Sequence, residues 1–169
     1  MKITFVGTGD AFGSGGRMNT CFHVETATFN FLIDCGAGAL AGLKKFKLVP
    51  DLIDVIFLSH FHGDHYGGLP FFLLDAAIYG RKKPLTIIGP PGCREKVAQL
   101  LDLLYPGTEV LGKLSLEFIA FESDIRFVHD HFTLLAIPVV HTAASLPHGL
   151  RIETAGKVIS YSGDTEWTD

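Results

Sequence analysis

The chain has 169 residues, of which 47% are hydrophobic, and a formal net charge of −4 at neutral pH. That length suits one domain of ordinary size with a sizeable core. The lack of a long Lys or Arg block argues against attachment to nucleic acid by bulk charge, and no apolar run nears the roughly 20 residues that cross a bilayer.

In chain order, residues 2–6, 20–26 and 29–33 read as successive strands. The opening MKITFV has neither the long apolar stretch nor the small-residue cleavage site of a signal peptide. The glycine-rich segment GTGDAFGSGGR at 7–17 follows the first strand. It fits neither the Walker spacing nor a dinucleotide loop that opens a helix, so it reads as a tight structural loop. Residues 37–46 form a helix weakened by Gly42, and 55–58 a short strand apolar on both faces. Residues 70–79 form a helix with Pro in its first turn, and 85–88 a second buried strand. Residues 91–105 are the strongest helix, with Val97, Leu100, Leu101 and Leu104 on one face. The remainder is mostly strand: 115–121, 132–139, 150–154 and 158–161, with a hairpin turn over 154–157. The pattern is a β-rich α/β (α+β) fold with helices covering sheets. Cys21, Cys35 and Cys93 are odd in number and widely spaced, which suggests reduced, buried thiols in a cytoplasmic protein.

The segment FLSHFHGDHYGGLP at 57–70 carries His60, His62, Asp64 and His65 within six residues. A strand end lets His60 and His62 share a face, and Gly63 lets the chain turn before Asp64 and His65. Imidazole and carboxylate together suit zinc and its neighbours. Four such groups are more than one ion draws from a single segment, so the spacing points to two. In a shuffled chain of this composition the pattern arises with a chance of about one in a thousand. Two further candidates stand at strand ends: His141, after LLAIPVV, and Asp164, in SYSGDT. His148, in LPHGLRI, reads as a loop hydrogen-bonder.

These motifs resemble the metallo-β-lactamase fold superfamily. The segments FLIDCGAG (31–38), FLSHFHGDHYGGLP (57–70), PVVHT (138–142) and YSGDT (161–165) carry the resemblance along the whole chain. Together with the opening loop they are most similar to the ribonuclease Z branch and its phosphodiesterase relatives. The resemblance implies an αββα sandwich with metals at one edge of the two sheets, and two divalent ions, Zn2+ or else Mn2+. It puts His60, His62 and His141 on one ion, Asp64 and His65 on the other, Asp164 between them, and Asp34 behind a ligand as its orienting partner.

The function so implied is hydrolysis by a metal-bridging hydroxide, with Asp64 as general base, on a small phosphodiester or nucleic-acid-derived substrate. The alternatives are a zinc hydrolase of a lactone, thioester or β-lactam, and an inactive metal-stabilised fragment. Bacterial tRNA-processing members carry a long arm between the third histidine and the bridging aspartate. Here 22 residues separate His141 from Asp164, so tRNA is not the expected substrate. The family also places one more metal histidine, and often a general-acid histidine, after the bridging aspartate. The chain stops at Asp169, so the expectation is a single domain over 1–169 truncated after the bridging-aspartate motif, with strand edges that favour a homodimer.

Overall fold

A computed structural model describes residues 1–167; the last two residues of the expected domain lie outside the described residues. The described elements are, in order, β1 (Lys2–Gly7), β2 (Cys21–Glu25), β3 (Asn30–Ile33), α1 (Ala39–Lys45), β4 (Val55–Phe57), α2 (Gly63–Tyr66), α3 (Leu69–Ile78), β5 (Leu85–Gly89), α4 (Cys93–Leu104), β6 (Leu116–Ala120), β7 (Arg126–His129), β8 (Phe132–Pro138), β9 (His148–Thr154) and β10 (Lys157–Tyr161). Strands β1 to β6 form one sheet in sequence order; β10, β9, β8 and β7 form the other.

Alternate residues of a strand face opposite ways, and the central strands use both faces. Leu32 of β3, Ile56 of β4 and Leu85 and Ile87 of β5 pack toward the helices, against Leu43 of α1, Phe72 and Leu73 of α3 and Val97 and Leu101 of α4. Phe31 and Ile33 of β3, Val55 and Phe57 of β4 and Ile88 of β5 point the other way. There they meet Phe132, Leu134 and Ala136 of β8 and Leu150 and Ile152 of β9. The layers therefore run helices, six-stranded sheet, four-stranded sheet. Among the described residues the helical layer of the expected αββα order lies on the six-stranded side.

Strand direction puts the site residues at one edge. β3, β4, β5 and β6 are mutually parallel, so the residues following β3 and β4 emerge together. β8 and β10 each run antiparallel to β9, so they also end together, and Asp34, His60, His141 and Asp164 each follow one of these four strands.

The expected helices match within about two residues, the usual uncertainty of a helix end. The face of α4 differs: Cys93, Val97 and Leu101 are buried at four-residue spacing, whereas Leu104 is exposed. Gly42 is required in α1, because a Cβ there would lie 2.6 Å from Val6 Cγ1 and 2.9 Å from Met18 Sδ. The hairpin turn is present, with Ala155 and Gly156 both at positive φ. Two elements escape the sequence reading. β7 is a short strand with mostly exposed side chains, and residues 63–66 form a helical turn, where a sharp loop was expected. All three cysteines are buried and free.

Phe57 joins the two sheets, with edge-to-face contacts to Phe31 at 5.3 Å and to Phe132 at 4.9 Å. Its truncation removes a fully buried ring. Phe57→Ala is expected to lower the unfolding free energy by about 3–5 kcal/mol, read as a shift in the urea midpoint with little change in slope.

Candidate metal centre

The chain leaves β3 at Asp34, a fully buried residue at φ 57°, a left-handed conformation that Asp tolerates better than most side chains. The backbone N–H of Asp34 donates to Phe57 O at 2.8 Å, so this turn is fixed to the end of β4. The Asp34 carboxylate is a shared acceptor. Its Oδ1 receives the Ser59 backbone N–H at 2.8 Å. Its Oδ2 receives the Ser59 hydroxyl at 2.8 Å, His65 Nδ1 at 2.7 Å and the Tyr161 hydroxyl at 2.9 Å.

These bonds settle the histidine tautomers. The Ser59 hydroxyl donates to Asp34, so at Ser59 Oγ it is His60 Nδ1–H that donates, at 2.9 Å. His60 Nε2 is then an unprotonated lone pair in the neutral ring. By the same logic His65 spends Nδ1–H on Asp34 and turns Nε2 outward.

Those outward nitrogens converge with the other candidates. His62 Nδ1 stands 3.2 Å from His60 Nε2 and 3.0 Å from His141 Nε2. His65 Nε2 faces Asp64 Oδ2 at 3.4 Å and Asp164 Oδ1 at 3.2 Å, and Asp164 Oδ2 lies 3.9 Å from His141 Nε2. Two donor groups result, His60–His62–His141–Asp164 and Asp64–His65–Asp164. In each, one ligand atom per residue lies within 4.8 Å of all the others, and Asp164 belongs to both.

The donor set fits cations. The lone pair of His65 Nε2 pointing at two carboxylates is unfavourable unless a proton or a metal ion stands between them. The proton side of that alternative is visible: burial opposes charging His65, but the Asp34 hydrogen bond and the charges of Asp34, Asp164 and Asp64 outweigh it and raise its pKa. Burial, aided by His65, pushes His60 down to about 4, leaving its lone pair free at neutral pH.

Close backbone packing holds the segments in place. Cys35 N–H donates to His65 O at 2.6 Å and Gly68 N–H to Cys35 O at 2.8 Å. A Cβ on Gly36 would collide with the Asp64 carbonyl oxygen, and one on Gly68 with the Gly36 carbonyl oxygen, so the two loops touch main chain to main chain. The His141 loop is tied in by Phe61 N–H to Ser145 O at 2.9 Å and by His148 N–H to Ser59 O at 3.1 Å.

All six candidate ligands named from the sequence, with Asp34, thus stand in one cluster. Ser59 and Tyr161 were not singled out, although both lie inside quoted motifs, directly beside a candidate ligand or a strand end. His148 bonds Leu146 O through Nδ1 at 2.9 Å and Ser123 Oγ through Nε2 at 2.8 Å, the hydrogen bonding expected of it, but as the first residue of β9 and not within a loop. His129 and His131 lie on the β7–β8 hairpin, and His23 is buried on β2.

Comparison with known proteins identifies the family and the fold. The family model described as "Anti-Pycsar protein Apyc1" matches residues 1–169. The chain belongs to the Apyc1 family. It is also similar to ribonuclease Z of Methanococcus maripaludis, 31% identical over 152 residues, covering 89% of this chain and 49% of that protein. Ribonuclease Z of Staphylococcus carnosus is 33% identical over 170 residues, covering 94% of this chain and 52% of the relative. Among solved structures, the short form of human tRNase Z superposes with a TM-score of 0.78 at 26% identity, over 97% of this chain and 69% of that one. The metallo-β-lactamase fold protein YhfI of Bacillus subtilis does so with a TM-score of 0.76 at 23% identity, over 99% and 64%. This Apyc1-family chain therefore has the metallo-β-lactamase fold and lies in its ribonuclease Z-like branch. It spans about half the length of the curated relatives it matches.

In the Apyc1-family chain, Asp34→Ala would leave the Ser59, His65 and Tyr161 donors without their acceptor. Loss of such an orienting partner weakens metal affinity by roughly 10–100-fold. The same loss is expected here in competition with a chromophoric chelator, with Asp34→Asn falling between. Unchanged affinity in Asp34→Ala would remove the carboxylate from that role.

Proposed function

We propose that this chain carries the metal centre of a hydrolase that cleaves phosphodiester bonds in a small or nucleic-acid-derived substrate. The observation that carries the reading is the pair of donor groups sharing Asp164, an arrangement suited to two cations side by side. In it, His60, His62, His141 and Asp164 would hold a first ion, and Asp64, His65 and Asp164 a second. Mixed imidazole and carboxylate donors suit zinc first and manganese second. The names of the ribonuclease Z and tRNase Z relatives favour a phosphodiester over a lactone, thioester or β-lactam.

When bound, such ions supply Lewis acidity toward non-bridging oxygens and a water acidic enough to lose its proton near neutral pH. The chain's own groups then have separate tasks. The Asp64 side chain is 10% exposed and lies beside His65 Nε2, its Oδ2 at 3.4 Å. It is placed to take the proton of the attacking water, as a general base must be. Asp34, through Ser59 and directly through His65, keeps two imidazoles in the tautomer that presents Nε2. Tyr161 fixes the third donor on the same carboxylate oxygen and so holds β10, and with it Asp164, against the centre.

The reading includes one domain over residues 1–169, a cytoplasmic setting consistent with three free buried thiols, and pairing of two copies along free strand edges. No described helix is long and apolar enough to cross a membrane.

The test is a side-by-side assay of the metal-loaded chain on a bis-aryl phosphodiester and a thioester, with ions counted by elemental analysis. The phosphodiester is expected to be the better substrate, and a chelator should abolish its turnover. Asp64→Ala should cut turnover by at least about 100-fold while the first ion is retained. Normal turnover in Asp64→Ala, or hydrolysis that survives complete metal removal, would sink the assignment.

A further inference from the structure

Six of the 14 Lys and Arg residues fall in two short segments, 44–54 and 75–84, of a chain whose net charge is −4. The segments continue from the ends of α1 and α3. Both helices begin directly after segments of the candidate metal centre and lead away from it; α3 alone spans about 15 Å between Leu69 and Ile78.

The fold fastens the two segments to each other. Lys44 Nζ bonds the Asp75 carboxylate and stands 5.6 Å from the centre of the Tyr79 ring. The buried Arg81 guanidinium donates to Pro50 O at 3.0 Å, Ile53 O at 2.6 Å, Pro84 O at 3.0 Å and, through Nε, Lys83 O at 2.8 Å. Lys83 Nζ reaches Leu52 O at 3.0 Å and Asp54 Oδ1 at 2.8 Å. Hydrogen bonds from an ionised donor are stronger than neutral ones, so this arginine makes a firm base and the side chains around it form one surface.

That surface combines two kinds of side chain. Val49, Leu52, Ile78 and Tyr79 are each more than half exposed. The three acids of these segments each have a cation: Lys44 for Asp75, Lys83 for Asp54, and Arg81, at 3.9 Å, for Asp51. Lys45, Lys47 and Lys82 are exposed, and among the described residues none of them has a carboxylate within ion-pair distance.

We infer that this face docks on the surface of an anionic bilayer. Val49, Leu52, Ile78 and Tyr79 enter the headgroup layer, and Lys45, Lys47 and Lys82 lie against the lipid phosphates. Apolar side chains interspersed with lysines suit a boundary where hydrocarbon meets anionic headgroups. A nucleic acid would use the lysines, but its phosphates offer nothing to Val49, Leu52 and Ile78. A second copy would use the apolar side chains, but a two-fold pair sets the same patch against itself and lysine against lysine. The attachment lies on the bilayer and does not cross it, and it is independent of the reaction at the metal centre.

The metal-loaded chain is sedimented with vesicles of phosphatidylglycerol mixed with phosphatidylcholine, and with vesicles of phosphatidylcholine alone. Binding to the first, its loss at high salt and no binding to the second are expected. Each lysine near an anionic surface raises partitioning roughly five-fold. Lys45→Gln, Lys47→Gln and Lys82→Gln together should therefore lower it by about 100-fold. Leu52→Ser with Ile78→Ser leaves the charge unchanged and should lower it by about ten-fold. All five positions are exposed, so the urea midpoint should stay at its wild-type value, which separates lost docking from lost folding. Failure to bind the anionic vesicles overturns the inference. So does vesicle binding that the serine pair leaves intact, or tighter binding to single-stranded RNA than to vesicles, which would make nucleic acid the partner. Pairing of chains that the serine pair abolishes, without vesicle binding, would assign the face to a second copy instead.

Discussion

The buried Asp34 carboxylate is the interaction on which the rest of the site depends. A carboxylate with no exposure to solvent is tolerated only where hydrogen bonds replace its water. Here four donors do so, from Ser59 twice, His65 and Tyr161. They come from three places in the chain: the end of β4, the α2 turn and the end of β10. One anion therefore fastens the edge of the six-stranded sheet to the edge of the four-stranded one, and sets the tautomers of two candidate ligands in doing so. The same group serves stability and chemistry, because the arrangement that satisfies its charge also aims His60 Nε2 and His65 Nε2 outward.

This explains the close main-chain packing around it. To bring His65 Nδ1 within 2.7 Å of Asp34, the loop after β3 must lie directly on the 63–68 segment. Side chains at 36 and 68 would hold the two backbones apart, and glycine at both positions removes the obstacle. The helical turn Gly63–Tyr66 contributes as well. It places Asp64 and His65 on successive positions of a tight curve, so that an Asp64 carboxylate oxygen and His65 Nε2 both stand near Asp164.

Much of this was legible in the sequence, for physical reasons that differ by element. The central strands declare themselves because both faces are buried, so their apolar runs are unbroken. The candidate ligands declare themselves because clustered imidazoles and a carboxylate at a strand end have few uses other than metal. β7 was silent because its Arg126–His129 side chains are largely exposed and follow no two-residue pattern; only pairing with β8 makes it a strand. Leu104 was misplaced on α4 because four-residue spacing from Leu100 marks a face without saying where the core ends. Ser59 and Tyr161 look like ordinary polar residues in sequence. Their role arises from proximity to Asp34, which is 25 residues from one and 127 from the other, and no local pattern encodes such a distance.

The division between strand ends and loops also bears on how this fold keeps one centre while changing what reaches it. The candidate ligands leave strand ends or a four-residue turn, and the Asp34 network fixes His60 through Ser59 and His65 directly. The flanking connections are held at their bases: Asn19 bonds Asp10 O of the 7–17 loop, and Glu166 N–H bonds Val140 O. A substitution at the exposed tip of the 7–17 loop therefore leaves the bonds of the centre in place, whereas one at Asp34 removes the acceptor shared by Ser59, His65 and Tyr161. Function lies in sites grafted on folds. Here the graft has two parts of unequal tolerance, the bonded centre and the connections around it.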